Sequence, residues 1–71
     1  MITRIGLAAG DIWNYLDAHN RVDQLEKIIE ELGDKIERDL VLMSIGWLAR
    51  EGHVQLEGEP GDYTVKLSSD Q

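Results

Sequence analysis

Few side chains in this 71-residue chain could do covalent or metal chemistry: His19, His53, Ser44 and fourteen scattered carboxylates. A zinc ion needs three or four converging nitrogen, sulfur or oxygen ligands. With no cysteine in the chain, only a His19–His53–carboxylate set remains, and the two histidines lack a ligand-like spacing. Nucleophilic catalysis asks for a nucleophile, a base and a group that orients the base. Ser44 lies inside an apolar helical stretch, and the histidines fall near element ends elsewhere in the chain. The glycines at 6, 10, 33, 46, 52, 58 and 61 form no phosphate-cradling loop and read as packing, capping and turn positions. The sequence therefore offers no catalytic residue, cofactor, metal or small-molecule substrate, and the expected class is non-enzymatic.

Charge narrows the partners. Seven Lys and Arg stand against fourteen Asp and Glu, a net charge of −7. Nucleic-acid binders neutralise phosphates with a basic patch, so any such patch here must be local. The same charge favours solubility and repels an anionic membrane surface. No apolar run approaches the roughly 20 residues that span a bilayer. The opening MITRIGLAAGDIW is broken by Gly10 and Asp11 too soon for a signal peptide. A cysteine-free chain suits a reducing cytoplasm, and a soluble cytoplasmic protein is expected. One domain this small buries only about 60% of its unfolded surface, and such domains often recruit a metal, disulfides or a second copy.

The elements that must position these residues follow from periodicity. Ile5, Ala8, Ala9, Ile12, Trp13 and Leu16 recur at helical steps, with Thr3 as the expected N-cap and His19–Asn20 as the end. Asp23 with Glu26 reads as a capping box opening a second helix, with Leu25, Ile28, Ile29 and Leu32 inward and Gly33 as a left-handed stop. Asp34 with Glu37 repeats the pattern and predicts a third helix over residues 34–51. Val22 is expected to make a short extended pairing or a hydrophobic staple. After Gly52, HVQLE and YTVKL alternate around the turn-forming GEPGD, which is a hairpin signal. Val54, Leu56, Tyr63, Val65 and Leu67 would share its buried face. Residues 1–67 read as one domain and 68–71 as a flexible tail.

Helix, helix, tight turn, helix, hairpin is the order of an α+β winged helix-turn-helix. The segments IGLAAGDIW (Ile5–Trp13) and IGWLAREGHV (Ile45–Val54) resemble a small stand-alone prokaryotic family of that fold. The resemblance implies the winged-helix architecture and an association with transcription regulation, and brings no catalytic residue or cofactor. DQLEKIIEELGDKIERD is more acidic than the family pattern leads one to expect.

In such folds the third helix enters the major groove with its N-terminal residues on base edges. Here Lys35, Arg38, Ser44 and, from the wing, Lys66 are the candidate DNA contacts. Against them, residues 34–50 carry three bases and three acids, residues 23–32 carry four acids and one base, and residues 53–67 carry three acids and one base. Charge disfavours DNA, so the leading expectation is a regulatory module acting through a homodimer or another protein, with DNA binding as the alternative. The third helix is apolar on two faces, which predicts burial on both. The expected core is Ile12, Trp13, Leu16, Leu25, Ile28, Leu32, Leu40, Met43, Trp47, Val54, Leu56 and Val65. That leaves Val41, Leu42 and Ile45 as the candidate dimer contact.

Overall fold

A computed structural model describes residues 2–68 and contains three helices and one three-stranded sheet. Helix α1 (Ile2–Asp17) is followed by strand β1 (Val22–Gln24), helices α2 (Leu25–Glu31) and α3 (Arg38–Arg50), and the hairpin of β2 (Val54–Glu59) and β3 (Asp62–Leu67). The sheet order is β1-β3-β2, antiparallel throughout, with Val22 opposite Lys66 and Val54 opposite Leu67. Val22 thus pairs as a strand.

The helices pack on one face of the sheet around Ile12, Leu16, Ile28, Val41, Val65 and Leu67, all sealed from solvent. Two turns fix the geometry. Between α1 and β1, Asn20 and Arg21 both adopt positive φ (64° and 68°), an uncommon conformation for side chains other than glycine. Arg21 is held there from several sides. Its amide donates to the Leu16 carbonyl at 2.8 Å and its own carbonyl accepts from Leu67 at 2.9 Å. Its guanidinium donates to the Ser68 carbonyl at 2.9 Å. Between α3 and β2, Gly52 (φ 83°) closes the helix. The His53 amide reaches back to the Leu48 carbonyl at 2.9 Å and the Gly52 amide to Ala49 at 3.1 Å, the paired bonds of a Schellman ending.

Several expectations are corrected. Thr3 lies inside α1 and does not cap it. Asp23 caps nothing: it sits in β1, accepts from the Tyr15 hydroxyl at 2.6 Å, and α2 starts at Leu25 with Gln24 as an N-cap that makes no side-chain bond. The third helix begins at Arg38, not at 34, with Glu37 as its N-cap. Residues 32–35 instead form turns that tuck Ile36 into the core, its amide bonded to the Leu32 carbonyl at 2.8 Å. Gly33 is not left-handed, since the positive-φ glycines are Gly52, Gly58 and Gly61.

On the hairpin, Leu56 and Tyr63 are exposed while Val54, Val65 and Leu67 are buried, because the strands run past the edge of the helical layer and form a wing. Ser68, expected to open the tail, is buried and donates its amide to the His53 carbonyl at 2.9 Å. The rest of the expected tail, 69–71, lies outside the described residues.

Candidate interaction surface

The register of α3 decides which side chains reach solvent. Leu40, Val41, Ser44, Ile45 and Leu48 turn inward, leaving Leu42, Met43, Gly46 and Trp47 outward. This reverses part of the expected assignment. Val41 and Ile45 are core residues, 0% and 3% exposed, and are unavailable as a dimer contact; of that trio only Leu42 is exposed. Trp13, Met43, Trp47 and Leu56, expected in the core, are 37%, 42%, 45% and 48% exposed. The inward stripe buries branched aliphatic side chains that fit between α1 and the sheet, and the bulkier indoles stand at the rim.

The proposed DNA contacts are not brought together. Ser44 is fully buried, its hydroxyl directed to the Ile5 carbonyl at 3.4 Å, so it cannot meet a base. Arg38 is held in a two-pronged pair with Glu26, both N–O distances 3.1 Å. That bond holds the Glu26 carboxyl below the usual carboxylate range. Lys35 lies on the other side of the turn, in a shallow groove with Arg4, Leu7 and Asp11. Lys66 alternates with the buried Val65 and Leu67, which puts it on the sheet face away from the helices. The wing turn carries Glu59 and Asp62 in place of bases.

The structure assembles a different surface, between α1 and α3. Two hollows flank Trp47. One, of about 270 Å³, is lined by Gly6, Gly10, Trp13, Trp47 and His53 among others. The second, of about 280 Å³, is lined by Ile2, Ile5, Gly6 and Trp47. The Trp47 indole leans toward the His53 ring, centroids 6.4 Å apart and tilted by 41°. No Asp, Glu, Lys or Arg lines either hollow. The signal for this surface was present in the sequence as Gly6 and Gly10 inside a helix, where glycine is a poor choice.

The histidines occupy separate junctions. His19 stacks on Tyr15 with centroids 4.0 Å apart and contacts its carbonyl through Nδ1 at 2.6 Å; His53 sits beside Trp47. Among the described residues there is no cluster of three or more His, Asp or Glu that could hold a metal, and no helix long and apolar enough to cross a membrane.

Residues 1–67 match the model of the winged helix-turn-helix domain DUF2582. The chain belongs to that family. A relative, the uncharacterized protein MJ1608 of Methanocaldococcus jannaschii, is 34% identical over 65 residues, 90% of each chain. This DUF2582 domain is similar in structure to a chain from a structural study of the DNA recognition and protein interaction domains of HOP2. That match has a TM-score of 0.76 and covers 86% of this chain and 98% of the other. At 21% identity the likeness is one of fold.

Proposed function

We propose that this DUF2582 domain is a non-enzymatic regulatory module that works by docking protein through the α1/α3 face. One observation carries the reading: from Leu40 to Ala49 the helix that would enter the major groove has no charged residue, and its outward side chains are Leu42, Met43 and Trp47. Affinity for DNA comes largely from cations on phosphates, and sequence readout from polar contacts to base edges. A leucine, a methionine and an indole supply neither. Desolvated aromatic side chains are instead the usual anchors of protein interfaces.

DNA binding is the second reading, favoured by the fold shared with a chain from the HOP2 study and by the exposed Lys35 and Lys66. An amide NMR titration with a generic duplex at low salt separates the two. The docking reading expects unmoved signals at Lys35, Arg38 and Lys66. Shifts that cluster on those residues and fade as salt rises would overturn it in favour of DNA.

A further inference from the structure

Beyond the α1/α3 face and independently of it, we propose that the wing takes up an extended basic segment of another protein, which pairs with the outer edge of β2 as a fourth strand. The sheet order β1-β3-β2 leaves β2 with a neighbour on one side only. One bond tells which of its backbone groups are free. The Ser68 amide donates to the His53 carbonyl at 2.9 Å, and these two residues lie opposite when the register is carried one step past Val54↔Leu67. Bonded and non-bonded pairs alternate along an antiparallel ladder. Gln55, Glu57 and Glu59 therefore bond to β3, while Leu56 and Gly58 send their amides and carbonyls to the open side. Among the described residues no other backbone group bonds to Leu56 or Gly58. The strand is exposed from Gln55 to Glu59, so a partner strand can reach both.

Proteins commonly blunt such an edge with lysine, proline, an inward charge or a very short strand. The opposite edge uses the last device, since β1 has three residues. Strand β2 has six and contains no lysine, arginine or proline. Its Leu56 is apolar and half-exposed, on the same sheet face as the exposed Tyr63. On the other face stand Gln55, Glu57 and Glu59, with Lys66, Thr64 and Asp62 across from them, three acids against one base. Charge chooses the occupant. Two copies joined edge to edge would gather Glu57 and Glu59 of both on one face, and like charges directly opposite destabilise a sheet. A basic strand gains from the same positions. Residues opposite one another share a face, so the segment places Lys or Arg opposite Glu57 and Glu59 and an apolar side chain opposite Leu56. Backbone bonds supply the affinity and this alternation supplies the choice of partner.

The test titrates the full chain with an end-blocked peptide of alternating lysine and valine, followed by amide NMR and hydrogen exchange. A copy N-methylated along one edge carries the same charge but cannot donate from that edge. The parent peptide should shift the Leu56 to Glu59 signals and slow exchange at the Leu56 and Gly58 amides by about tenfold or more. The methylated copy should leave those amides unprotected. Glu57→Gln/Glu59→Gln, at two exposed positions, should weaken binding of the parent peptide about tenfold. No shift at millimolar peptide would overturn the proposal. Shifts that survive methylation, or that spread equally to Glu30 and Glu31 on α2, would mean charge attraction alone and overturn it too. Movement of the Trp13 and Trp47 indoles with a silent wing would overturn edge pairing while supporting the α1/α3 docking reading.

Discussion

The groove between α1 and α3 and the shelf between α2 and the wing lie on one small fold and are made of opposite materials. The groove is walled mostly by glycine, aliphatic and indole side chains, with His53 at its edge and no Asp, Glu, Lys or Arg. The shelf is lined by Gln24, Leu25, Glu26, Gly61, Asp62 and Tyr63, and its nearest guanidinium, Arg38, is already paired with Glu26. Segregating charge in this way lets one surface stay solvated while the other can lose its water at little electrostatic cost. In a helix-turn-helix fold the shelf side is where phosphate would be expected, and acid stands there.

The sharpest test of the boundary runs through α3 itself, which contributes a side to core and a side to groove. Ile45→Ala removes a buried side chain and should cost about 2–5 kcal/mol in dilute protein. Met43→Ala, on the outward side two residues away, should cost less than about 1 kcal/mol. Urea melts of both would break the assignment of faces if the order reversed.

Glycines on the two sides should respond with opposite signs. Gly58 has φ 104°, and a methyl there would run into the Asp62 carbonyl. Gly58→Ala should therefore destabilise the wing by about 2 kcal/mol, from left-handed strain plus the clash. Gly10→Ala, with open space before it, should gain up to about 1 kcal/mol. Thermal melts at low concentration read both.

Much of the fold was legible because turn chemistry is local. Gly52 and the GEPGD turn set the end of α3 and the hairpin, and the apolar steps of α1 set its inward face. The start of α3 was not legible, since Asp34 and Glu37 imitate a capping box, whereas residues 32–35 form turns and Glu37 is extended, so the helix begins at Arg38. The candidate site was misread for a related reason. A segment apolar all round contains more than one helical stripe, and periodicity cannot choose between Ile36-Leu40-Met43-Trp47 and Val41-Ile45-Leu48. Ser44 lies in the buried stripe. Its hydroxyl is satisfied by the Ile5 carbonyl, a partner 39 residues away that no local pattern contains.

Smaller effects sharpen the comparison at its edges. Tyr15→Phe removes the 2.6 Å bond to Asp23 that ties α1 to β1 and should cost about 1 kcal/mol, since the pair is only half-buried. Burial, then the bond to Asp23, pushes the Tyr15 phenol above its ordinary range. A raised acid stabilises the fold while the unfolded tyrosine is still protonated, below about pH 10, and that contribution is lost as pH climbs through the folded value. The phenylalanine variant should lose this alkaline limb in a pH series of melts.

Glu26→Gln should have the least effect on stability. The carboxyl of Glu26 is lowered by Arg38, so its contribution is present above the ordinary glutamate range and fades as pH falls through the folded value. The variant should flatten that acid limb slightly. It also frees Arg38, so any duplex affinity at low salt should rise and not fall.

Both tryptophans of the chain stand on the groove, which makes their indole N–H signals direct reporters of what the face does. The decisive measurement follows those two signals, together with the Lys35 and Arg38 amides, by NMR as duplex DNA is added at low salt. The account predicts that both indoles and both amides stay still when duplex is added. Lys35 and Arg38 amides that move on DNA, with shifts that fade as salt rises, would contradict it.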